Sequence, residues 1–278
     1  TAPDMGLPII KPARSFVGPG ITGPRGLWRD CAAFVPIMDR AGRAVDIISG
    51  ARVIYNDNAA SPSPKVVTRA GLGERFSGAQ RNDLGDFSRI PVSAPITVQS
   101  TVIVQNGNTG WMTFVAISDP AKRAGLLQHM VAGGQAQIVA RRGGFDKAFG
   151  GPLINDGLPH SIISTVVPTG QFSVIISVYT DGVFAASTSA DLDDTMTVAS
   201  YGALNRSTSS FTNPLNSDIL SFGIWSRVLS DAEIALLGRD PFIMFRSDAP
   251  EIAALSGAAG GGGSITGAAA GEIALTGA

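Results

Sequence analysis

The sequence contains a single cysteine, Cys31, among its 278 residues. One thiol cannot form a disulfide within the chain, which excludes a small secreted scaffold held together by disulfides. We interpret Cys31 as a small apolar residue of the first strand rather than as a reactive thiol. Histidine is almost as rare, since only His129 and His160 occur, and neither belongs to a recognisable zinc-binding motif.

Charge is scarce as well. Charged residues make up 15% of the chain, and the formal net charge is −1 at pH 7. This balance favours neither nucleic acid nor an acidic membrane surface as a partner. The sequence also lacks an apolar run of roughly 18 residues, the length that a membrane-spanning helix needs. The first residues do not show the basic and then apolar pattern of a signal peptide, so we expect synthesis in a cytoplasm without export.

What the sequence does contain is a series of short segments in which apolar residues alternate, as is typical of β-strands. Turn signals separate these segments, notably at 106–108, 133–134, 143–144 and 181–182. Strands do not alternate with helices, so we predict an all-β fold in which two antiparallel sheets form a sandwich. The predicted strands are 32–37, 45–48, 52–55, 66–68, 96–104, 111–117, 126–131, 135–140, 160–167, 172–180, 183–187, 196–200 and 219–225.

A strand and a short helix follow each other closely near the C-terminus. The segment 219–225 has apolar residues on both faces, which predicts a strand covered on both sides. Ser230 then stands at a helix N-cap position with Glu233 three residues later, and Leu229 is placed to pack on Ile234. We expect about two turns of helix, ended by Gly238 in a left-handed conformation before Pro241.

These elements resemble the laminin-G-like or concanavalin A-like jelly roll. The order of the strand, the sequence IWSRVLSDAEI and a short helix is similar to the end of that domain, and 158–182 resembles its central signature. There, a Trp-His strand is followed by a Tyr-x-Asp-Gly hairpin; this chain has Pro159 in place of the tryptophan, then His160, Tyr179, Asp181 and Gly182. The resemblance covers roughly 27–237 and implies an antiparallel jelly-roll sandwich with one short C-terminal capping helix.

The two ends of the chain have a different composition. Residues 1–25 contain five prolines and four glycines, which predicts an extended arm; the arm either stays disordered or lies along a neighbouring subunit. Residues 247–278 are rich in Gly and Ala and repeat the phrase EIAALSGA as EIALTGA. This tail is interpreted either as a linker or as an oligomeric stalk. Between them, 26–246 is predicted to be the jelly-roll domain.

A jelly roll between such ends resembles virion proteins of tailed bacteriophages, and RDPFIMFR resembles the Asn-Pro-Trp-x-x-Phe-Arg segment that follows the same helix there. The resemblance implies a non-enzymatic virion protein, either a capsid decoration or a tail or fibre appendage. Its partners would be other virion proteins and copies of itself, with a trimer expected if the tail is a stalk. The candidate docking residues are Ile9, Ile10, Phe16, Val17, Phe242 and Phe245; the last two either fold back on the sandwich or insert into a neighbour.

The sequence carries few candidates for chemistry. The jelly-roll family includes glucanases whose catalytic glutamates follow a Glu-x-Asp-x-x-Glu pattern, and none of the four glutamates of this chain lies in one. We therefore predict no catalytic residues and no enzyme activity. No cofactor is predicted, although two acidic segments interpreted as loops leave calcium open. The calcium candidates are Asp191, Asp193 and Asp194, with Asn82, Asp83 and Asp86 as a second group.

Glycan binding is the alternative function. It requires an aromatic side chain at the surface with polar groups around it. Of the three tryptophans, Trp225 lies on the strand covered on both faces, and Trp28 is expected to open the first strand. Trp111 follows the turn at 106–110 and is the best candidate for exposure, but we favour burial in the core for it as well, because an indole gains much by burial. On this alternative the chain is a carbohydrate-binding module that contacts host surface glycans through Trp111.

Overall fold

The structure is a computed structural model. It describes residues 25–37, 44–48, 54–55, 63–76, 82–83, 90–91, 94–108, 110–118, 125–142, 145–192, 195–196, 198–201, 204–207, 210–212 and 216–245. The predicted arm and tail, and with them Ile9, Ile10, Phe16 and Val17, lie outside these residues, apart from Arg25. Neither helix among the described residues is long and apolar enough to cross a membrane.

Strands dominate the described residues. The helical elements are α1 (Arg25–Trp28), α2 (Asp231–Arg239) and a 3-10 turn at Ile243–Phe245. The strands are β1 (Cys31–Pro36), β2 (Ile54–Tyr55), β3 (Lys65–Thr68), β4 (Gly71–Arg75), β5 (Asn82–Asp83), β6 (Ile90–Pro91), β7 (Ile96–Val104), β8 (Met112–Ser118), β9 (Gly125–Met130), β10 (Gln135–Arg142), β11 (Phe145–Leu153), β12 (Pro159–Pro168), β13 (Ser173–Thr180), β14 (Val183–Asp191), β15 (Thr195–Met196), β16 (Val198–Tyr201), β17 (Leu204–Ser207), β18 (Ser210–Thr212) and β19 (Ser217–Trp225).

Most of these strands form two sheets. The eight-stranded sheet has the order β14-β13-β12-β7-β19-β4-β3. The eighth strand, β1, also pairs with β19: β4 pairs with the first part of β19, and β1 pairs with the rest of it. The seven-stranded sheet has the order β11-β10-β9-β8-β16-β5-β2. Every pairing in both sheets is antiparallel, and the short pairs β6–β15 and β17–β18 are antiparallel too. The prediction of an all-β, two-sheet antiparallel sandwich with one short C-terminal helix is confirmed.

The sandwich core lies between the inner faces of the two sheets. On β7, Val98 and Val102 point into this core, and Phe114 and Ile117 of β8 meet them from the other sheet. All nine residues of β19 are buried, as the apolar residues on both of its faces predicted. The outer face of the eight-stranded sheet is therefore covered as well, at least along β19.

One polar side chain, Gln128 of β9, lies in the middle of this core and is 1% exposed. It reaches from the seven-stranded sheet to the other one. Its Nε2 donates to the carbonyl of Val98 at 3.1 Å and to Oγ of Ser164 at 2.9 Å, and its Oε1 accepts from Oγ of Ser100 at 2.7 Å. Both ends of the amide are satisfied, which removes most of the cost of burying it.

The predicted capping box of α2 is present. Ser230 has an extended backbone, its side chain accepts from the backbone N–H of Glu233, and the Glu233 carboxylate accepts from the backbone N–H of Ser230 at 2.8 Å. Glu233 also pairs with the guanidinium of Arg227, with N–O distances of 2.6 and 2.8 Å. Arg227 in turn donates to the carbonyl of Gly26 at 2.7 Å. The cap thus ties the start of α2 to α1.

The predicted end of α2 was wrong. Gly238 is not left-handed but lies inside the helix, which runs to Arg239 and stops at Asp240, whose backbone is extended before Pro241. The glycine is needed for a different reason. A Cβ at Gly238 would collide with the backbone of Gly182, in the turn between β13 and β14. Contact between helix and turn therefore requires a residue without a side chain at this point.

That turn matches its sequence signal. Asp181 and Gly182 both have positive φ, 53° and 80°, as a two-residue type I′ hairpin requires. A Cβ on Gly182 would lie 2.8 Å from Cα of Ala235 in α2. The Asp-Gly pair is thus fixed both by the hairpin conformation and by the helix packed above it.

A second apolar cluster covers part of the outer face of the eight-stranded sheet. We call it the outer-face cluster; its buried members are Leu27, Phe34, Ile163, Trp225, Leu229, Ile234, Leu237, Ile243 and Met244. Trp225 is 0% exposed and donates from Nε1 to the carbonyl of Leu27 at 2.7 Å. Trp28 was predicted to open the first strand, but it lies in α1. There its indole packs beside this cluster and donates to the carbonyl of Met244 at 3.1 Å, contacts that a position at the start of the strand did not predict.

Candidate functional site

Three connections meet at one end of the sandwich, and we call them the loop end. They are the β7–β8 connection (105–108 and 110–111), the β9–β10 turn (131–134) and the β11–β12 connection (154–158). The pairing register brings them together, because Met112 is opposite Met130 and Gln135 is opposite Leu153. The backbone N–H of Ile154 also donates to the carbonyl of Gly134 at 2.9 Å.

Trp111 is the exposed tryptophan of the described residues. Half of its surface (50%) is accessible, whereas Trp225 is buried and Trp28 is partly buried. The next residue, Met112, points into the sandwich core. Trp111 immediately precedes β8 and is not a member of that core. Its exposure makes Trp111 available to a partner, while glycan binding by it stays a prediction.

Asn108, three residues before Trp111, makes several hydrogen bonds. Its Nδ2 donates to the carbonyl of Asn216 at 3.1 Å, and its Oδ1 accepts from the backbone N–H of Gly110 at 3.4 Å. The carbonyl of Asn108 accepts from Nδ2 of Asn155 at 3.0 Å. Three separate parts of the chain are thus joined around the loop. The sequence marked this segment as a turn but gave no sign of these long-range bonds.

The β11–β12 connection carries apolar and polar groups. Leu158 in the connection and Leu153 at the end of β11 are both exposed large hydrophobic residues. Between them, the carboxylate of Asp156 accepts from the backbone N–H of Leu158 at 2.7 Å. Exposed indole and leucine side chains can contact the apolar face of a sugar ring, and amide and carboxylate groups can hydrogen-bond to its hydroxyls.

His160 connects this end to the hairpin under α2. Its Nε2 lies 3.0 Å from Oδ1 of Asp156, and its Nδ1 lies 2.8 Å from Oδ2 of Asp181. The bond to Asp181 is the main cause that raises the pKa of His160; burial opposes the rise, and the bond to Asp156 adds to it. Both ring nitrogens are occupied, so His160 has the packing and hydrogen-bonding role that the sequence predicted.

The thiol of Cys31 also has a structural position. It begins β1, packs beside the outer-face cluster and contacts the carbonyl of Ala33 at 3.5 Å. Burial, and then the charge of Asp46, raises the pKa of this thiol well above its usual value. A neutral thiol is a poor nucleophile at neutral pH.

The calcium candidates are not gathered into a site by the described residues. Asp191 ends β14, accepts from Oγ of Ser173 at 3.0 Å and lies 3.8 Å from Nη1 of Arg142. Asp193, Asp194 and Asp86 lie outside the described residues. The prediction that Asn82 and Asp83 belong to a loop was wrong, because they form β5, paired on both edges with β16 and β2.

Across the part of the chain that the structure describes, no group of three or more His, Cys, Asp or Glu side chains could hold a metal ion. Calcium binding by Asp191, Asp193 and Asp194 stays a prediction. So does the absence of catalytic residues.

The segment after α2 folds back on its own chain. Phe245 contacts the rings of Trp28 and Phe34, with centroid distances of 5.5 and 5.8 Å. Phe242 is half-buried, and its backbone N–H donates to Oδ1 of Asp240 at 3.0 Å. The sequence left open whether this segment folds back on the sandwich or inserts into a neighbour, and in the structure it packs on the sandwich. Docking of a partner at Phe242 and Phe245 stays a prediction.

Comparison with known proteins gives likeness in structure alone. No family model matches the chain, and no curated protein matches it. The binding domain of Paraclostridial Mosquitocidal Protein 1 is similar with a TM-score of 0.58 and 13% identity, over 77% of this chain and 52% of that one. The binding domain of botulinum neurotoxin serotype G is similar with a TM-score of 0.54 and 13% identity, over 75% of this chain and 50% of that one.

A third similar structure is domain 4 of AbnA, an extracellular arabinanase from Geobacillus stearothermophilus, in complex with arabinotriose. Its TM-score is 0.56 and its identity 14%, over 75% of this chain and 98% of that domain. The chain shares the β-sandwich fold of these domains. It spans about half the length of the two toxin binding domains.

Proposed function

We propose that the chain is a non-catalytic carbohydrate-binding domain that contacts glycans with its loop end. The observation that carries this proposal is Trp111, which leaves 50% of its surface exposed. An indole in this state has apolar area that the fold does not use. A sugar ring offers a matching apolar face, and its hydroxyls can reach the polar groups beside it.

The hydrogen bonds near Trp111 support the proposal. Asn108 is bonded to Gly110 and Asn216, and Asn155 is bonded to Asn108, so these bonds exist without a ligand. Groups that are already held in place lose less conformational entropy when a ligand binds.

The shared fold supports the same class of function by analogy. The likeness to AbnA domain 4 spans nearly that whole domain, and the structure of that domain contains arabinotriose. A shared fold is compatible with many functions, so the residues of the loop end have to carry the argument. The resemblance to virion proteins of tailed bacteriophages suggests host surface glycans as the targets.

A glycan array with the full chain, followed by calorimetry on the hits, tests the proposal. We expect binding that Trp111→Ala weakens about tenfold or more, as for a central aromatic contact. Phe184→Ala is the matched control, because Phe184 is an exposed aromatic residue on the edge strand β14 of the other sheet. An array without hits, or hits whose affinity survives Trp111→Ala, would contradict the proposal.

A structural role in a bacteriophage virion is the second proposal. It is supported by the composition of the two ends, since apolar residues such as Ile9, Ile10 and Phe16 in a proline-rich arm gain by contact with a neighbour. The domain would then be displayed on the virion, attached to other virion proteins or to further copies of the chain.

Light scattering tests this second proposal: we expect an oligomer that dissociates when 1–25 and 256–278 are deleted. A monomer unchanged by both deletions would contradict it.

A further inference from the structure

A cavity of about 280 Å³ opens on the outer face of the eight-stranded sheet, at the C-terminal end of α2. Its floor contains Thr101 of β7 and Ser161 of β12, which are paired directly across the two strands. Its walls are Pro159, residues 238–242 and, from the turn between β3 and β4, Ala70. Trp111 does not line it.

The hydroxyl of Ser161 is the unusual group in this cavity. The residue is 2% exposed, and its Oγ has no hydrogen-bond partner among the described residues. Buried hydroxyls in folded proteins nearly always have a partner, because leaving one without any costs free energy. A ligand in the cavity would supply the missing bond.

Thr101 adds a second hydroxyl to the floor. Its Oγ1 accepts from Nε2 of Gln99 at 2.6 Å and from Oγ of Ser221 at 3.1 Å. An oxygen that accepts two hydrogen bonds has only its own proton left to donate. Thr101 and Ser161 both line the cavity floor, and neither hydroxyl proton has an acceptor among the described residues.

The surroundings select against a charged ligand. The carbonyls at the C-terminal end of a helix carry partial negative charge, and the carboxylate of Asp240 lies beside them, so an anion is disfavoured. Arg239, also in the wall, disfavours a cation. The wall also contains the apolar residues Pro159, Pro241 and Phe242.

We propose that this cavity binds one neutral ring rich in hydroxyl groups, that is, a single monosaccharide unit. Two hydroxyl donors on the floor match the oxygens of a sugar, and the proline and phenylalanine rings match its apolar face. The volume is far larger than the roughly 10–15 Å³ of such space that one water needs. The site is separate from Trp111 and does not depend on it.

Titration of the full isotope-labelled chain with glucose, galactose, mannose or arabinose, followed by NMR, tests the proposal. We expect at least one of these sugars to shift the amide signals of Ser161, Gly238 and Phe242. Ser161→Ala should weaken that binding about tenfold without loss of folding, since it removes a hydroxyl that has no partner. Ala70→Leu, which adds bulk to the wall, should abolish it.

Ser177→Ala is the matched control, because Ser177 lies on the outer face of β13, bonded to Ser187 and outside the cavity. It should leave the affinity unchanged. The proposal is overturned if no sugar shifts the cavity signals, or if sulfate shifts them instead. It is also overturned if Ser161→Ala and Ala70→Leu both retain full affinity. Shifts confined to the loop end would assign the sugar to Trp111 alone, so the two sites fail separately.

Discussion

Tryptophan has opposite environments in two regions of this β-sandwich. In the outer-face cluster, Trp225 is fully buried and its indole N–H is bonded to Leu27. At the loop end, half of the surface of Trp111 is exposed. The hydrogen bonds near it are made by the side-chain amides of Asn108 and Asn155. Apolar area buried in the first region stabilises the fold, whereas apolar area left exposed in the second is available to a partner.

The largest expected effect comes from removing each indole in turn. Trp225→Ala should lower the free energy of unfolding by about 3–5 kcal/mol, because it leaves a large cavity in the outer-face cluster. Trp111→Ala should change it by less than about 1 kcal/mol. Urea unfolding followed by circular dichroism measures both. Similar losses in the two variants would show that the two regions do not differ as described.

A smaller effect is expected at the contact between α2 and the hairpin below it. Gly238→Ala forces the turn at Gly182 away from the helix and should lower the free energy of unfolding by about 1–3 kcal/mol. Gly110→Ala at the loop end is the matched control, because the nearest atom to its added Cβ beyond its two chain neighbours, Oδ1 of Asn108, is 3.8 Å away. Thermal unfolding compares the two, and an equally stable Gly238→Ala variant would contradict the contact.

The smallest effect concerns His160, which links the two regions through Asp156 and Asp181. Carboxylates only accept hydrogen bonds, so both bonds require the doubly protonated ring. The pKa of His160 is raised on folding, so its stabilising effect is complete below the ordinary value of 6.5 and is lost as the pH rises through the raised pKa. The stability difference between the natural chain and His160→Gln should therefore shrink with rising pH.

Chemical denaturation at a series of pH values from acid to alkaline measures that difference. Asp156→Asn and Asp181→Asn each remove one of the two partners and should reduce the pH dependence in part. A difference that is constant across the series would contradict the role of the charged ring.

Local patterns accounted for much of the fold. Ser230 and Glu233 are three residues apart, so their capping box could be predicted from the sequence. The Asp181-Gly182 pair predicted a hairpin turn, because these residue types readily adopt the positive φ angles that such a turn requires. Features that depend on contacts between distant parts of the chain could not be predicted from the sequence. The need for glycine at position 238 arises from a turn distant in sequence, and Asn82–Asp83 looked like a loop because two polar residues in a two-residue strand give no alternating pattern.

The candidate sites show the same limit. Trp111 was identified as the tryptophan best placed for exposure, but the bonds from Asn108 to Asn216 and from Asn155 to Asn108 join segments far apart in the chain. The cavity at Ser161 is formed by a turn, two strands and a helix end, and no single segment carries its signature. Sequence patterns reveal what neighbours along the chain can do, whereas sites depend on which distant segments meet.

The buried amide of Gln128 has a consequence for how the two sheets are aligned. Aliphatic layers tolerate sliding, because one branched side chain packs nearly as well as the next. A shift of one sheet along the other would carry the amide away from Ser100 and Ser164 and leave it facing valine and isoleucine, at a cost of about 1–3 kcal/mol for each unmet polar group. A single glutamine can thus fix the alignment of the two sheets, as one buried asparagine fixes the register of a coiled coil.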